Sequence, residues 1–192
     1  VSAYYIDSIG ISGGVLKYDI NGNLLWNSLH YNPNVVGSLM RPDDMQIAKD
    51  SGFILVNSIA GSSATDLSIL KLDKNGNEEW HITRGVTNYV ESWGCVHVET
   101  DGSYVIGYMQ DDLSAVQMNY TIRSKLEKLD SAGNSLWTYQ SPVNEQIHGV
   151  NDLIKSKDGG WVVASAWGYE ELGSNGTWSS YLHDSYVYKL DS

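Results

Sequence analysis

Apolar positions in this chain alternate with polar ones or cluster in runs of four to seven, and nowhere hold the 3.6-residue period of an amphipathic helix. Gly, Asn, Asp and Ser punctuate the stretches, so the pattern predicts short strands joined by tight turns, an all-β chain without helices.

Aligning the chain with itself brings Val15-Leu16-Lys17-Tyr18-Asp19 onto Ile69-Leu70-Lys71-Leu72-Asp73, Leu126-Glu127-Lys128-Leu129-Asp130 and Val187-Tyr188-Lys189-Leu190-Asp191. Successive lysines are 54, 57 and 61 residues apart, slightly long for one four-stranded propeller blade, and the drift falls in loops. Three copies are preceded by a turn running into a strand: Asp50-Ser51-Gly52-Phe53, Asp101-Gly102-Ser103-Tyr104 and Asp158-Gly159-Gly160-Trp161. Three are followed by a second turn and a tryptophan: Asn21-Gly22-Asn23 with Trp26, Asn75-Gly76-Asn77 with Trp80, and Ala132-Gly133-Asn134 with Trp137. Asn-Gly between apolar runs is a strong hairpin signal, because both residues tolerate positive φ.

A full unit is therefore four antiparallel strands, A to D. The second unit is expected to place them at 45–49, 53–59, 67–72 and 78–83, and the third at 96–100, 104–109, 124–129 and 135–139. The fourth offers A, B and C at 153–157, 161–167 and 186–190; the first offers B, C and D at 3–8, 15–18 and 24–30. Sheets repeated in tandem bury their faces by stacking radially, so a β-propeller of four-stranded antiparallel blades is the predicted architecture, with a sandwich as the runner-up. The single domain spans 1–192 in units of about 1–44, 45–94, 95–151 and 152–192. Its incomplete first and last units are those of a segment of a larger ring, or of one closed by its own termini or by a neighbouring chain, with self-association through those terminal blades an expected partner mode.

Composition sharpens this picture. Seven Trp and 13 Tyr against one Phe, with 19 Gly and three Pro, suit many short strands. A net charge of -11 disfavours phosphate backbones and anionic membranes, so nucleic acid is not an expected partner. No apolar run reaches the roughly 20 residues of a membrane span. Val1-Ser2-Ala3-Tyr4-Tyr5 carries no basic leader or apolar signal core, so a targeting segment has been removed or none existed. The single Cys95 excludes an internal disulfide framework.

Through Lys-Leu-Asp-x-Asn-Gly-Asn-x-x-Trp the chain resembles, over nearly its whole length, secreted propeller-repeat proteins whose units read Asp-Gly-Gly-aromatic and then Lys-Leu-Asp-x-x-Gly-Asn-x-x-Trp. It is distantly similar to the repeats of quinoprotein enzymes, where a late tryptophan docks on the next blade; Trp26, Trp80 and Trp137 match that position. The quinone apparatus of those enzymes needs an adjacent cysteine pair that a single Cys95 cannot supply, so no cofactor is expected. The Gly turn is also similar to the Asp-box of sialidases, but has an extra residue on each side of the glycine, and Arg41, Arg84 and Arg123 are the only arginines available for that family's carboxylate clamp.

In a propeller the A–B and C–D turns, short and repetitive here, share one face. The D–A connections (31–44, 84–94, 140–152) and B–C connections (60–66, 110–123, 168–185) share the other, and are expected to be long loops rich in aromatic and acidic residues. Function concentrates on such loops. Trp93, Tyr120, Tyr169, Trp178 and Tyr181 offer flat apolar surfaces with polar tips for a sugar or a protein partner, with His183 beside them; the same rings would equally pack the loops together. Asp43, Asp44, Asp111, Asp112, Glu170, Glu171, His183 and Asp184 carry cation-ligand chemistry without a fixed ligand spacing, and read first as a solvated acidic face. Asp19-x-Asn21-x-Asn23 and Asp73-x-Asn75-x-Asn77 begin like calcium loops but lack the distal bidentate Glu, which favours plain turn chemistry. No metal site is expected.

For catalysis, His97 and His148 are the histidines expected nearest a central channel, without an identifiable nucleophile, and Cys95 reads as a buried thiol. Asn119-Tyr120-Thr121 and Asn175-Gly176-Thr177 are glycosylation acceptors on two B–C loops. The sequence reading is a non-catalytic extracellular or cell-surface propeller, a glycoprotein that binds carbohydrate or protein through its long-loop face. The alternatives are a structural subunit of an extracellular assembly, and a hydrolase or lyase whose channel is only partly represented.

Overall fold

The computed structural model describes residues 2–7, 10–30, 40–60, 64–112, 122–142, 147–172 and 178–191, with side chains described outside 2–13, 30, 147–148 and 166–184. These residues form fourteen strands and no helix, in four antiparallel sheets. Sheet one holds β1 (Ser2–Asp7), β2 (Gly10–Tyr18) and β3 (Leu24–His30). Sheet two holds β4 (Met40–Ile47), β5 (Phe53–Ala60), β6 (Thr65–Leu72) and β7 (Glu78–Arg84). Sheet three holds β8 (Tyr89–Val98), β9 (Tyr104–Asp112), β10 (Arg123–Leu129) and β11 (Ser135–Gln140). Sheet four holds β12 (Ile147–Lys155), β13 (Trp161–Leu172) and β14 (Trp178–Leu190). Each sheet is a meander in chain order.

Several expected loops are strand instead. The A strands β4, β8 and β12 begin five to seven residues earlier than their alternation suggests, because each carries a bulge: between Pro42 and Asp44, Ser92 and Cys95, and His148 and Asp152. A bulge inserts an unpaired residue and breaks the period of two, which hides the strand upstream of it. The B–C connection expected at 168–185 is a paired arm, with Gly168 opposite His183, Glu170 opposite Tyr181 and Leu172 opposite Trp178. Tyr169, Trp178 and Tyr181 are of residue types that favour strands, and the register sets each of them opposite a non-aromatic residue.

The repeated motifs close the turns. Asp19 Oδ1 accepts the N–H groups of Asn21 and Asn23 at 2.9 and 2.8 Å, and Asn23 Nδ2 donates to Oδ2. Asp73 and Asp130 repeat the arrangement, with Ala132 N–H in the middle place of the third copy. Each motif carboxylate is thus a turn acceptor, and the calcium-loop likeness is turn chemistry. Gly22, Gly76 and Gly133 supply the positive φ (84–87°).

Lys-x-Asp ties two turns of one sheet. Lys71 Nζ reaches Asp50 of the A–B turn at 2.7 Å and Glu79 of β7 at 2.6 Å; Lys128 meets Asp101, and Lys189 meets Asp158. The asparagine side chains lower the pKa of Asp19, Asp73 and Asp130, Lys71 lowers Asp50, and the Ser103 hydroxyl holds Asp101 at about 2. Such depressed carboxylates stabilise the fold fully above their unfolded value near 3.8 and lose that contribution as pH falls through the folded value. The denaturation midpoint is therefore expected to fall steadily between pH 4 and about 2. Urea titrations across this range, with a shallower decline in Asp101→Asn, check it.

The core lies between sheets, which pack in chain order. Period-two alternation sends Leu55 of β5 toward sheet one, and Ile54 and Val56 toward sheet three. Tyr104, Ile106 and Tyr108 of β9 face sheet two, and Val105 faces sheet four. Tryptophans staple successive sheets: Trp26 lies over Gly76, where an added Cβ would come within 2.9 Å of the ring, and Trp80 lies over Gly133 and donates from Nε1 to Ser131 O at 3.1 Å. Arg84 of β7 makes a two-pronged contact with the buried Glu127 of β10 at 2.9 and 2.8 Å.

Candidate binding site

The A strands β4, β8 and β12 pack side by side in series. β8 is the edge of its sheet, so alternate N–H groups point away from its own ladder. Side chains of β4 take them up: Gly94 N–H donates to Asp43, Val96 N–H to Asp44 at 2.9 Å, and Val98 N–H to Gln46 at 3.2 Å. Asp43 and Asp44 thus cap a strand edge, where the sequence reading set them first on a solvated acidic face.

The bulge of β8 turns on Trp93, which holds φ 54°, a left-handed conformation in which a bulky side chain is an outlier. Three contacts enforce it. Trp93 N–H donates to Ser58 Oγ at 3.2 Å, Ser58 Oγ donates to Asp43 Oδ2 at 2.5 Å, and Gly94 N–H reaches the same carboxylate at 3.3 Å. Gly94 is required here, since a Cβ would lie 2.1 Å from Val56 Cγ1. Arg41 Nε holds the other oxygen, Asp43 Oδ1, at 3.1 Å.

The neighbouring bulge of β12 lies against the indole. Gly149 has φ 74°, and a Cβ there would sit 3.5 Å from Trp93 Cε3. Ser124 Oγ and Ser165 Oγ both donate to Gly149 O, at 2.9 and 2.6 Å, and pin the bulge from two strands. The indole remains 49% exposed, bordering an open depression of about 250 Å³ lined by Pro42, Asp43, Trp93, Gly94, Val150 and Asn151. An exposed aromatic face beside a carboxylate, an amide and a guanidinium suits a polyhydroxylated ring.

Of the ligand-binding residues expected from sequence, Trp93 is in this site, on a strand bulge and not in a loop. Tyr169, Trp178, Tyr181 and His183 lie on the β13–β14 arm by backbone, with side chains outside the described residues. Tyr120, Asn119 and Asn175 also lie outside the described residues. Asp111 and Asp112 are consecutive residues of β9, opposite Val90 and Tyr89. Glu170, Glu171 and Asp184 are in the same arm, with side chains not described. Among the described residues, no group of three or more His, Cys, Asp or Glu is arranged to hold a metal ion.

His97 packs edge-on against Trp161, with ring centroids 5.2 Å apart, and the His148 side chain lies outside the described residues. Burial raises the Cys95 thiol pKa, which makes it inert. Sequence reasoning missed a serine–histidine contact, Ser68 Oγ to His81 Nε2 at 2.7 Å, formed across β6 and β7. Ser68 is fully buried, so no substrate carbonyl reaches it. Ser58, Gly149 and Asn151 were also missed, and Arg41 was weighed only for a sialidase-type clamp; only their place beside bulges gives them a role. Among the described residues no helix is long and apolar enough to cross a membrane. Compared with known proteins, the chain matches no family model and no curated protein.

Proposed function

We propose that this chain is a non-catalytic propeller-type repeat module of the cell surface or extracellular space that binds a neutral carbohydrate against Trp93. One observation carries the binding reading: a tryptophan is held half-exposed in a strained backbone by a purpose-placed hydrogen-bond network, where a small residue would fold more easily. The indole stacks on the apolar face of a sugar ring, while Asn151 in the depression and the half-exposed Arg41, held by Asp43, address its hydroxyls. The chain's charge of -11 repels acidic glycans and favours neutral ones. The propeller reading draws on the repeated Lys-Leu-Asp-x-Asn-Gly-Asn-x-x-Trp unit and on the serial contact of β4, β8 and β12, which suits strands lining a common axis.

Trp93→Gly separates binding from folding. Glycine relieves the positive φ, which offsets the lost packing, so Tm is expected to stay within about 3 °C of the parent. Affinity for neutral oligosaccharides is expected to fall at least about tenfold, measured by calorimetry on the best ligand of a glycan array. A parent chain that binds no neutral glycan, or a Trp93→Gly variant that binds as tightly, overturns the proposal.

A further inference from the structure

Among the described residues three carboxylic side chains are buried: Glu91, Glu99 and Glu127. Two of them meet a cation, since Lys155 lies 2.6 Å from Glu99 and Arg84 2.8 Å from Glu127. Glu91, 1% exposed near the head of β8, has no such partner. Its Oε1 accepts from Gln110 Nε2 of β9 at 2.6 Å, while its Oε2 is buried without a hydrogen bond. The residue lies in the middle of the molecule, where β8 packs on β5 and β6 of sheet two.

Titratable and charged groups face it from each neighbouring element. Asp66 of β6 and Lys125 of β10 act on its charge, and Tyr108 of β9 and Tyr89 of its own strand stand near enough to feel it. The ammonium of Lys125, the only cation in this group, makes no ion pair or hydrogen bond among the described residues. An ionised carboxylate in such a place gives up its hydration and leaves one oxygen unpaired, which costs far more than burying the neutral acid. Burial is accordingly the largest influence on Glu91 and Asp66 adds to it. The Gln110 amide, the Val86 N–H and Lys125 pull the other way without cancelling it, so the carboxyl titrates above its ordinary 4.5.

The strand around Glu91 is also the part of β8 that is held least from outside. From Gly94 onward β4 takes up the free N–H groups of the β8 edge, and Trp93 N–H is held by Ser58, whereas residues 89–92 rest on their ladder with β9 and on a turn in which Tyr89 N–H donates to Val86 O at 2.9 Å. We propose that Glu91 is a proton-operated clasp between sheets two and three: protonated, it seals the junction at the head of β8, and on ionising it draws water to Oε2 and opens that segment locally, loosening the strand that carries Trp93 two residues further on. None of this depends on what Trp93 binds. A carboxyl that holds its proton more tightly in the folded chain contributes stability that is fully present below the unfolded value of 4.5 and lost as pH rises through the folded one. The clasp is therefore closed in acid and open in alkali.

Hydrogen exchange of the full chain, parent against Glu91→Gln, tests the opening between pH 4.5 and about pH 8. At the acid end the amides of residues 89–92 are expected to exchange alike in the two proteins. At the alkaline end they are expected to exchange at least about fivefold faster in the parent, since each unit by which the fold raises the carboxyl is a tenfold change in the opening equilibrium. Carbon-13 NMR of the Glu91 carboxyl reads the proton directly and needs only the parent, with a titration midpoint expected above 4.5. A midpoint at or below that value overturns the proposal, even where Glu91→Gln does not fold. Equal exchange in parent and variant over the whole range overturns it as well, because a carboxyl that titrates without loosening its strand is no clasp.

Discussion

Trp80→Ala is expected to destabilise the chain by about 3 kcal/mol, lowering Tm by roughly 6–12 °C, whereas Trp137→Ala at the same repeat position costs about 1 kcal/mol or less. Trp80 is clamped between sheets. Its ring lies against Gly133 and 6.1 Å, centroid to centroid, from the buried Tyr104, and its Nε1 donates to Ser131 O. Truncation opens a cavity between sheets two and three and removes the hydrogen bond that sets their spacing. Trp137 is 37% exposed and borders an open cleft with Trp161 and Leu190, so its truncation leaves little that water does not already reach. Trp80→Phe divides the effect: keeping a ring over Gly133 is expected to restore all but about 1 kcal/mol, the share of the hydrogen bond. Urea denaturation of the three variants measures the contrast, and equal losses for Trp80→Ala and Trp137→Ala would contradict the stapling role.

The second large effect is expected at Lys71. Its side chain is 1% exposed, and its ammonium is held by Asp50, Glu79 and Leu72 O at 3.1 Å. Gly52 creates the room, since a Cβ there would come within 2.6 Å of Nζ. Burial opposes the charge, but the hydrogen bonds it donates to Asp50 and Glu79 outweigh this, and the net pKa is raised. A raised lysine contributes stability that is fully present below its unfolded value of 10.5 and lost as pH rises through the folded one. Lys71→Ala leaves a cavity and two carboxylates facing each other without their cation. Because both carboxylates are about half exposed, water softens the loss to about 3 kcal/mol, the low end for a broken buried pair. Lys189→Ala removes the same motif residue where it is 43% exposed, and is expected to cost under about 1 kcal/mol. In Lys71→Ala the decline in stability between pH 4 and 2 is also expected to become shallower, because Asp50 loses the partner that depresses its pKa.

Legibility in the sequence follows how local each interaction is. The Asp19, Asp73 and Asp130 turns were readable because the aspartate, the glycine and the amides it binds lie within four residues. Strand β3 was readable to the residue, its start set by the adjoining Asp19 turn. The upstream halves of β4, β8 and β12 were not, because their bulges answer to residues on other strands. Trp93 illustrates both sides. Its aromatic character marked it as a binding candidate, but its left-handed backbone depends on Ser58 and Asp43, 35 and more residues away. The β13–β14 arm looked like a loop because its Gly, Glu and Ser residues mask a ladder that only pairing reveals.

By itself, then, the amino-acid order determined that the described residues form strands and no helix, where the repeated tight turns fall, and which residues of each strand are apolar. These follow from backbone preferences and hydrogen bonds that span a few residues. Tertiary structure alone decided which copy of an identical motif is buried. Lys71 and Lys189, Ile69 and Val187, and Leu72 and Tyr18 occupy matching places, yet one of each pair is sealed and the other open. Burial is a property of the sheet next door, and a side chain carries no local record of whether that neighbour is present.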